Sequence, residues 1–347
     1  MNEAESQSAA LESYFIRHPE RSQSAGRVGV FRAMPGAYLA RFANGAMQCL
    51  QSYRLLADDL TRLGFEPVVG VSAPLDLAIV FATKHKEEVL YHLALAAERL
   101  EEGGDLIVSA ANTLGAPSLE RRCTELMGNA ESYSKHKCRV IRAIKQQAGL
   151  NQTLLDTWRQ AGEMRQLSAT GLFSCPGLFS WKTIDLGSRL LAAHLPAYLT
   201  GRGADLGAGY GYLSREALRR APGITELHIV DAERKALDAA ELNLQGLAEG
   251  RSLQFHWADV TAGLPFSGLD FVIMNPPFHA GRGALSALGR AFVRKALMAL
   301  KPGGGRLFMV ANRHLPYEGE IEAMSGEVLS AVQEQGFKVL VARRITD

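Results

Sequence analysis

The chain has 347 residues, of which 47% are hydrophobic and 21% charged, and its net charge is +2. This composition excludes a disordered or fibrous protein, and the length predicts two domains of about 150 to 200 residues each. A near-neutral balance neither demands nor excludes a nucleic-acid partner, so local clusters of charge must decide between these possibilities. The four cysteines form no CxxC pair, which argues against a zinc site or a disulfide framework and favours a reducing compartment: Cys49, Cys123, Cys138 and Cys175.

The first 26 residues are polar and contain no apolar core of the signal-peptide type. No run of about 18 apolar residues occurs elsewhere in the chain, so the sequence predicts no membrane-spanning segment. We therefore expect a cytoplasmic protein that neither enters nor crosses a membrane.

The first half contains a predicted strand, helix and strand in succession. Residues 75–81 read LDLAIVF, an apolar strand, and residues 87–100 form an amphipathic helical pattern. A Gly-Gly pair at 103–104 is a helix stop, and a second apolar strand runs to Asn112. Strand and helix alternation of this kind predicts a parallel, doubly wound sheet.

Two segments of the first half are rich in basic residues. Clusters of this kind suit phosphate contacts that position RNA without reading its sequence. A solvated basic face is an equally weighted alternative. The residues are Arg27, Arg32 and Arg41 in the first segment, and Lys135, Lys137, Arg139, Arg142 and Lys145 in the second.

A glycine-rich loop opens the second half. The stretch GRGADLGAGYGYLSREAL has the spacing D-x-G-x-G-x-G, formed by Asp205, Gly207, Gly209 and Gly211. Alternate glycines after a strand let the backbone turn tightly and approach a ligand, and the following helix offers free N–H groups. Tyr212 replaces the third glycine of the dinucleotide fingerprint, and no Walker loop is present. The loop predicts a site for a small polar ligand, with a purely structural turn as the alternative.

Acidic residues end the next two predicted strands. Asp231 ends the strand TELHIVD, 24 residues after Gly207, where a carboxylate can accept hydrogen bonds from two ribose hydroxyls. Asp259 ends the strand LQFHWAD. Ligands of open parallel sheets bind beyond the carboxyl ends of strands, so these residues are expected to line one crevice with Asp205 and Asn275. A helix cap or a turn is the alternative for each single Asp.

The strand LDFVIM of residues 269–274 leads into Asn275-Pro276-Pro277-Phe278, which can neither extend a ladder nor comfortably start a helix. This region repeats the first half, because residues 269–279 match 75–85 and residues 300–312 match 100–112. The first copy has lost the motif and reads Phe81, Ala82, Thr83 and Lys84 instead. A chance likeness of two α/β segments is the alternative to duplication.

The duplication sets the predicted architecture. We expect an α/β chain of two tandem doubly wound, mostly parallel-sheet domains, residues 1–165 and 166–347. The second domain carries the candidate site. The first is a degenerate copy that binds substrate or supports the fold.

The glycine loop and Asn275-Pro276-Pro277-Phe278 together resemble the class I S-adenosylmethionine-dependent methyltransferases. The duplicated arrangement is similar to the bacterial ribosomal RNA guanine-N2 methyltransferases of type C, which act on the small subunit, and to their large-subunit relatives. The resemblance covers most of the chain and implies a Rossmann-like fold with S-adenosyl-L-methionine as cofactor. It implies cofactor binding by Asp205, Gly207, Gly209, Gly211, Asp231 and Asp259, and by Phe179 and Asp185 in the segment before the loop.

In that family the N-P-P-aromatic motif acts on an amino nitrogen conjugated to a planar system. Such a nitrogen is a poor nucleophile because its lone pair is delocalised. The Asn275 carbonyl and the backbone carbonyl after it can accept both amine hydrogens, while Phe278 stacks on the base. Oriented dipoles meet the developing charge, so no strong general base is needed. A structural Pro-Pro turn is the alternative.

The resemblance makes ribosomal RNA or the small ribosomal subunit the expected partner, with the small subunit favoured over the large one. A monomer is favoured because both domains lie in one chain. Two further activities share the motif's chemistry, namely methylation of adenine N6 and of a protein glutamine. A cofactor-binding ribosome assembly factor without catalysis is the alternative from another class.

Overall fold

A computed structural model describes residues 2–42, 46–72, 74–277, 282–324 and 326–345, with residues 282–286 as backbone only. The chain divides into two compact units. Unit 1 comprises Met1–Glu163 and Cys175–Gly177, and unit 2 comprises Met164–Ser174 and Leu178–Asp347. The domains expected from the sequence, 1–165 and 166–347, differ from these units at residues 164–165 and 175–177. No helix of the described residues is long and apolar enough to cross a membrane.

Unit 1 is built on a seven-stranded sheet of order β3-β2-β1-β4-β5-β7-β6. β1 to β5 are parallel, whereas β6 and β7 pair in the antiparallel sense. The strands are β1 (Arg27–Phe31), β2 (Ala46–Leu50), β3 (Pro67–Val68), β4 (Leu75–Phe81), β5 (Leu100–Ala111), β6 (Glu131–Lys135) and β7 (Cys138–Ile144). The helices are α1 (Glu3–Arg17), α2 (Glu20–Gln23), α3 (Arg54–Arg62), α4 (Lys86–Arg99), α5 (Ala116–Met127) and α6 (Gln152–Gly162), with 3-10 turns η1 (Ala37–Phe42) and η2 (Asn112–Leu114).

Unit 2 has a seven-stranded sheet of order β12-β11-β10-β13-β14-β16-β15 and a separate two-stranded sheet, β8–β9. The strands are β8 (Arg165–Gln166), β9 (Phe173–Ser174), β10 (Gly201–Leu206), β11 (Ile224–Asp231), β12 (Ser252–Trp257), β13 (Phe271–Met274), β14 (Arg306–Asn312), β15 (Gly326–Glu334) and β16 (Phe337–Arg344). The helices are α7 (Leu186–His194), α8 (Tyr212–Arg220), α9 (Arg234–Leu244), α10 (Arg282–Ala299) and α11 (Tyr317–Ala323), with a 3-10 turn η3 (Gln245–Leu247).

The two large sheets share one topology. Their strand orders coincide when β1 is replaced by β10 and each later strand by its counterpart. α1 packs on β5 and β7 in the same way that α7 packs on β14 and β16. The tandem, doubly wound α/β fold predicted from the sequence is therefore confirmed.

One local prediction was wrong in its boundary. The Gly-Gly pair at 103–104 was expected to end the preceding helix, but β5 begins earlier, at Leu100. The N–H of Gly103 donates to the carbonyl of Lys145, and the N–H of Lys145 donates to the carbonyl of Gly104. Pairing with the chain that follows β7 therefore extends the strand backwards.

The central strand β13 determines the direction of the Asn275 side chain. All four of its residues are buried, as expected for a parallel strand covered on both faces. Phe271 and Ile273 belong to the hydrophobic cluster that includes α7, α8 and α9, and Val272 and Met274 belong to the cluster that includes α10. Because side chains alternate along a strand, Asn275 follows in the direction of Ile273. It therefore faces α7.

Candidate active site

Four of the predicted features of unit 2 lie at the carboxyl edge of four adjacent strands, in the order β12-β11-β10-β13. β10 lies between β11 and β13, with Leu206 opposite both Val230 and Met274. The chain leaves these strands through the glycine loop, Asp231 and Asn275, respectively. Asp231 in turn stands opposite Trp257 at the end of β12, two residues before Asp259. The four strand ends predicted to share one crevice therefore do share one sheet edge.

The glycine loop needs the conformational freedom of glycine. All three of its glycines have left-handed φ angles, namely +72° at Gly207, +54° at Gly209 and +80° at Gly211. Residues with a Cβ adopt this region only with strain, so the D-x-G-x-G-x-G spacing follows from the backbone path. A Cβ added to Gly209 would have no atom within 4 Å. Open space therefore lies beside the loop where a ligand can approach.

Asp205 lies beneath this loop and is wholly buried. Its Oδ2 accepts hydrogen bonds from the backbone N–H of Ser214 at 3.0 Å and from the Ser214 hydroxyl at 2.7 Å, in the first turn of α8. Burial raises its pKa to about 7, although the bonds from Ser214 act in the opposite direction. Its Oδ1 has no hydrogen-bond partner among the described residues. Asp205 thus fastens β10 to α8, and direct cofactor contact stays a prediction.

Asp231 is held by main-chain donors at the rim of the crevice. Its Oδ2 accepts from the N–H of Gly209 and its Oδ1 from the N–H of Glu233, both at 2.8 Å. The residue as a whole is partly exposed, but desolvation of its carboxylate raises the pKa of Asp231 to about 6, although these two hydrogen bonds act in the opposite direction. A carboxylate has about four lone-pair sites, so further donors can be accepted. The geometry suits a ligand that presents hydroxyl groups.

Asp259 is occupied with the turn that follows β12. Its Oδ1 accepts from the N–H and the hydroxyl of Thr261 at 2.8 Å each, and its Oδ2 accepts from the same hydroxyl at 2.7 Å. This is the turn-forming role weighed as the alternative. The carboxylate keeps lone pairs for other donors, and its contact with a cofactor stays a prediction.

Asn275 is oriented by the first turn of α7. Its Nδ2 donates to Asp185 Oδ2 at 2.9 Å and to Ser188 Oγ at 2.7 Å. A carboxylate only accepts, so the amide nitrogen must face Asp185 and the carbonyl must face elsewhere. The Asn275 Oδ1 is buried and has no hydrogen-bond partner among the described residues. The site therefore presents a fixed, unused acceptor.

Asp185 combines this role with capping of α7. Its Oδ2 also accepts from the backbone N–H of Ser188 at 2.8 Å, which is the bond expected of a helix N-cap. Gly187 lies between them, and a Cβ there would approach Asp185 Oδ2 to 3.1 Å. The helix start therefore fixes the carboxylate on which Asn275 depends.

The remaining predicted residues differ in their surroundings. Pro276 is buried and Pro277 is exposed, whereas Phe278 lies outside the described residues. The Phe179 side chain, six positions before Asp185, is 46% exposed. Stacking of Phe278 on a base and covering of the cofactor by Phe179 stay predictions.

Three residues of the site escaped the sequence reasoning. Ser188 orients Asn275, Ser214 binds Asp205, and Asn243 of α9 joins strand β9 to the glycine loop. The Nδ2 of Asn243 donates to the carbonyls of Tyr210 and Phe173 at 2.8 and 2.9 Å, and its Oδ1 accepts from the N–H of Phe173 at 2.7 Å. Asp185 is of the residue type that caps helix starts, but no local pattern marks Ser188 as a partner of Asn275. No local pattern marks Asn243.

The corresponding region of unit 1 is filled by its own side chains. Arg32 directly follows β1, as Gly207 follows β10, and has a left-handed φ of +54°. Its Nε lies 3.8 Å from Oε1 of the buried Glu88. Glu88 Oε2 accepts from the hydroxyl of Thr83 at 2.8 Å, and a Cβ on Gly177 would come within 2.6 Å of Oε1. Unit 1 thus has charged side chains where unit 2 has an open loop.

The basic residues of unit 1 fall into two groups. Six of them bind partners within unit 1. Arg27 binds Asp76, Arg32 binds Ser52 and Glu88, and Arg41 binds Glu12. Arg139 binds Glu120, Arg142 binds Asp105 and Glu131, and Lys145 binds the main-chain carbonyls of Glu98 and Leu100. Lys135 and Lys137 are instead exposed at the tip of the β6–β7 hairpin. The hypothesis of phosphate contacts in unit 1 is narrowed to this tip.

Comparisons with known proteins agree with this geometry. A family model described as methyltransferase small domain matches residues 169–341, and one described as its N-terminal domain matches residues 46–160. A thermophilic neighbour, the T. Thermophilus 16S rRNA N2 G1207 methyltransferase solved with AdoMet and guanosine, has the same fold. Its TM-score is 0.76 at 23% identity, over 94% of this chain and 91% of that one.

Curated relatives carry the name ribosomal RNA small subunit methyltransferase C. The protein of Psychromonas ingrahamii is 28% identical over 312 residues, which is 87% of each chain. Those of Shewanella pealeana and Shewanella piezotolerans are 30% and 31% identical over 266 residues, which is 76% of each chain. The resemblance read from the glycine loop and the NPPF motif is confirmed: the chain belongs to the family of ribosomal RNA small subunit methyltransferase C.

Proposed function

We propose that the chain transfers a methyl group from S-adenosyl-L-methionine to the exocyclic N2 amine of a guanine in small-subunit ribosomal RNA. The observation that carries the proposal is the buried Asn275 Oδ1, which lacks a partner among the described residues while its Nδ2 is fixed by Asp185 and Ser188. A buried acceptor without a donor is unfavourable, so a functional donor is the expected partner. The amine of the target base is such a donor.

The cofactor site is proposed at the glycine loop. The open space beside Gly209 admits a ligand, and the partly exposed Asp231 carboxylate can accept hydrogen bonds from two ribose hydroxyls. Asp205 holds the loop on α8 from below. When bound, the cofactor supplies an electrophilic methyl group. The residues present therefore fit S-adenosyl-L-methionine.

The work of the NPPF motif is to orient the nucleophile. Asn275 Oδ1 and the backbone carbonyl of Pro276 accept the two amine hydrogens, and the prolines limit the freedom of the chain. Accepting both hydrogens favours tetrahedral geometry at nitrogen and directs its lone pair. The dipoles are already oriented by Asp185 and Ser188, so little reorganisation accompanies the reaction. Phe278 is proposed to stack on the base.

Unit 1 is proposed to support the fold and to contribute to RNA binding rather than to hold cofactor. In unit 1, the Arg32 and Glu88 side chains occupy the region that corresponds to the open glycine loop of unit 2. The exposed lysines of the β6–β7 tip suit phosphate contacts. We further propose a cytoplasmic monomer, since one chain carries both copies of the duplicated fold.

The decisive experiment follows the methyl group. The full chain is incubated with unmodified, transcribed small-subunit rRNA and methyl-labelled cofactor, and the RNA is digested to nucleosides for mass spectrometry. Label in N2-methylguanosine supports the proposal. Label in N6-methyladenosine would establish the adenine alternative. Absence of label from the RNA would reject RNA methylation and favour the protein-glutamine or the non-catalytic alternative.

A further inference from the structure

A solvent-exposed asparagine ends the strand next to that of the proposed amine site. Asn312 is the last residue of β14, and it is exposed although the five residues before it are buried. β14 pairs with β13 in the parallel sense, with Met309 opposite Met274. Asn275 directly follows Met274, so Asn275 and Asn312 lie at the same edge of the sheet, at the ends of adjacent strands.

The Asn312 side chain points to the face of the sheet that Asn275 also faces. Phe308 and Val310 belong to the hydrophobic cluster that includes α7, whereas their neighbours along β14 belong to the cluster that includes α10. Side chains alternate along a strand, so Asn312 follows Phe308 and Val310 in the direction of α7.

Contacts of α7 also place Asn312 beside Asn275. Asn312 stands opposite Phe337 in the antiparallel pair of β14 and β16. A Cβ on Gly187, in the first turn of α7, would approach the Phe337 ring and Asp185 Oδ2 to 3.1 Å each. Asp185 Oδ2 in turn accepts from Asn275 Nδ2 at 2.9 Å. The backbone of α7 at Gly187 therefore lies between the carboxylate that orients Asn275 and the cross-strand neighbour of Asn312.

Strand geometry gives the separation of the two asparagines. The register of β13 and β14 puts Asn275 level with Val310, two residues before Asn312. Neighbouring strands lie about 4.8 Å apart and rise about 3.3 Å per residue, so the two Cα atoms are about 8 Å apart. Two side chains at this separation, on one face of the sheet, can contact the same purine base.

The Asn312 amide is available to a ligand. Its main chain belongs to the pair of β14 and β16 and to the turn in which the N–H of Leu315 donates to the Asn312 carbonyl. Its side chain makes no hydrogen bond with the residues that the structure describes. One acceptor oxygen and two N–H donors are therefore left for a ligand.

The hydrogen-bonding groups of guanine match two asparagines at one edge of the sheet. Beside its N2 amine, guanine carries an N1–H donor and an O6 acceptor on its Watson–Crick edge, where base-modifying enzymes read an extruded base. A side-chain amide can accept from N1–H and donate to O6 at the same time. Adenine has an acceptor at N1 beside its amine and carries no oxygen, so the same amide gains at most one bond.

We propose that Asn312 selects guanine by binding N1–H and O6 while Asn275 holds the N2 amine. The inference rests on the proposed function and deepens it, because it names the residue that distinguishes guanine from other bases with an amine. Asn112 is the counterpart of Asn312 in the repeat and has no such role, because the buried Phe81 stands in unit 1 where unit 2 has Asn275.

Asn312→Ala tests the proposal in the full chain, with small-subunit rRNA transcribed from a mixture of guanosine and 6-thioguanosine triphosphates. Sulfur at position 6 is a weaker acceptor than oxygen, whereas N1–H and the N2 amine are kept. Mass spectrometry of the digested RNA gives the ratio of methylated guanosine to methylated 6-thioguanosine, corrected for incorporation. The wild type should favour guanosine about fivefold, the scale of one hydrogen bond, and Asn312→Ala should favour it less than about twofold.

The rate on ordinary transcribed rRNA gives the size of the whole contact. At subsaturating RNA, Asn312→Ala should slow methylation about 30-fold, the scale of two hydrogen bonds. Its affinity for S-adenosyl-L-methionine in calorimetry and its midpoint in urea should stay at the wild-type values, because the amide is proposed to touch neither the cofactor nor the rest of the fold.

Asn112→Ala is the matched control. Asn112 is likewise exposed after a strand, and its side chain makes no hydrogen bond within the described part of the chain. This variant should keep the wild-type rate and the wild-type ratio of the two methylated nucleosides.

Three results would overturn the proposal. The first is a wild type without preference for guanosine, or an Asn312→Ala variant that keeps the wild-type ratio. The second is a rate of Asn312→Ala within about threefold of wild type, below the loss expected for two hydrogen bonds. The third is an equal loss in Asn112→Ala, which would mark a structural residue of both copies. Failure of the proposed function would appear separately, as wild-type protein that leaves no label in N2-methylguanosine.

Discussion

Replacement of Asn275 by alanine tests the proposed chemistry most directly. The change removes the unused Oδ1 acceptor and the two hydrogen bonds of Nδ2 to Asp185 and Ser188. Loss of those two bonds should lower the free energy of unfolding by about 1 to 3 kcal/mol. Asp185 keeps its bond from the N–H of Ser188, so α7 should remain capped. The fold and the cofactor site should therefore survive.

The effect on the reaction should be much larger than the effect on binding. Deleting one preoriented dipole at a reacting centre lowers turnover about 100- to 1000-fold, which corresponds to roughly 2.7 to 4 kcal/mol. Single-turnover methylation with saturating cofactor isolates this chemical step, and calorimetry measures cofactor affinity in parallel. Asn275→Ala should lose turnover in the first assay and keep wild-type affinity in the second.

Ser188→Ala is the matched control for this experiment. It removes one bond that orients Asn275 but keeps the Oδ1 acceptor and the bond to Asp185. One hydrogen bond is worth about 0.5 to 1.5 kcal/mol, so the expected loss of turnover is about tenfold or less.

Asn275→Asp would place two carboxylates in contact, and we expect its residual activity to rise at lower pH, where one of them is protonated. If Asn275→Ala ran within about threefold of wild type, the motif would be a structural turn.

The other predictions concern the cofactor and the hairpins. Asp231→Ala should weaken cofactor affinity about 100-fold in calorimetry, the scale of lost bonds to a charged acceptor, and wild-type affinity would remove Asp231 from the site. The pKa of Asp231 is raised to about 6 in the absence of cofactor, and hydrogen-bond donors on the cofactor favour the ionised carboxylate. The affinity for cofactor should therefore rise with pH up to about 6 and then level off. Asp231→Asn should abolish this pH dependence. Titration should give one cofactor per chain, and two would overturn the idea of a blank first copy. Lys137 has a left-handed φ of +58° in the β6–β7 hairpin, at the position that Gly336 occupies in the β15–β16 hairpin. Lys137→Gly should therefore raise the free energy of unfolding by about 1 kcal/mol, and Gly336→Lys should lower it by a similar amount. Urea titration measures both changes.

Much of the site is readable in the sequence because it depends on short-range rules. Three left-handed φ angles at alternate positions require glycine, so Gly207, Gly209 and Gly211 reveal the loop by spacing alone. Strand and helix alternation predicts a parallel sheet, and a parallel sheet brings its carboxyl ends to one edge. That geometry places Asp231 and Asn275 at a shared edge without any knowledge of side-chain contacts. The duplication is visible because residues 269–279 match 75–85 and residues 300–312 match 100–112.

Only the tertiary structure decides what each polar group contacts. Asp205 looks like a crevice residue in the sequence, yet packing buries it against Ser214 and gives it a structural bond. Asn275 is oriented by Asp185, 90 positions earlier in the chain. Partners of this kind depend on how distant elements pack, and no local pattern encodes that distance. The sequence by itself therefore determined the fold, the loop and the motif, whereas packing decided which acceptor stays unused for the reaction.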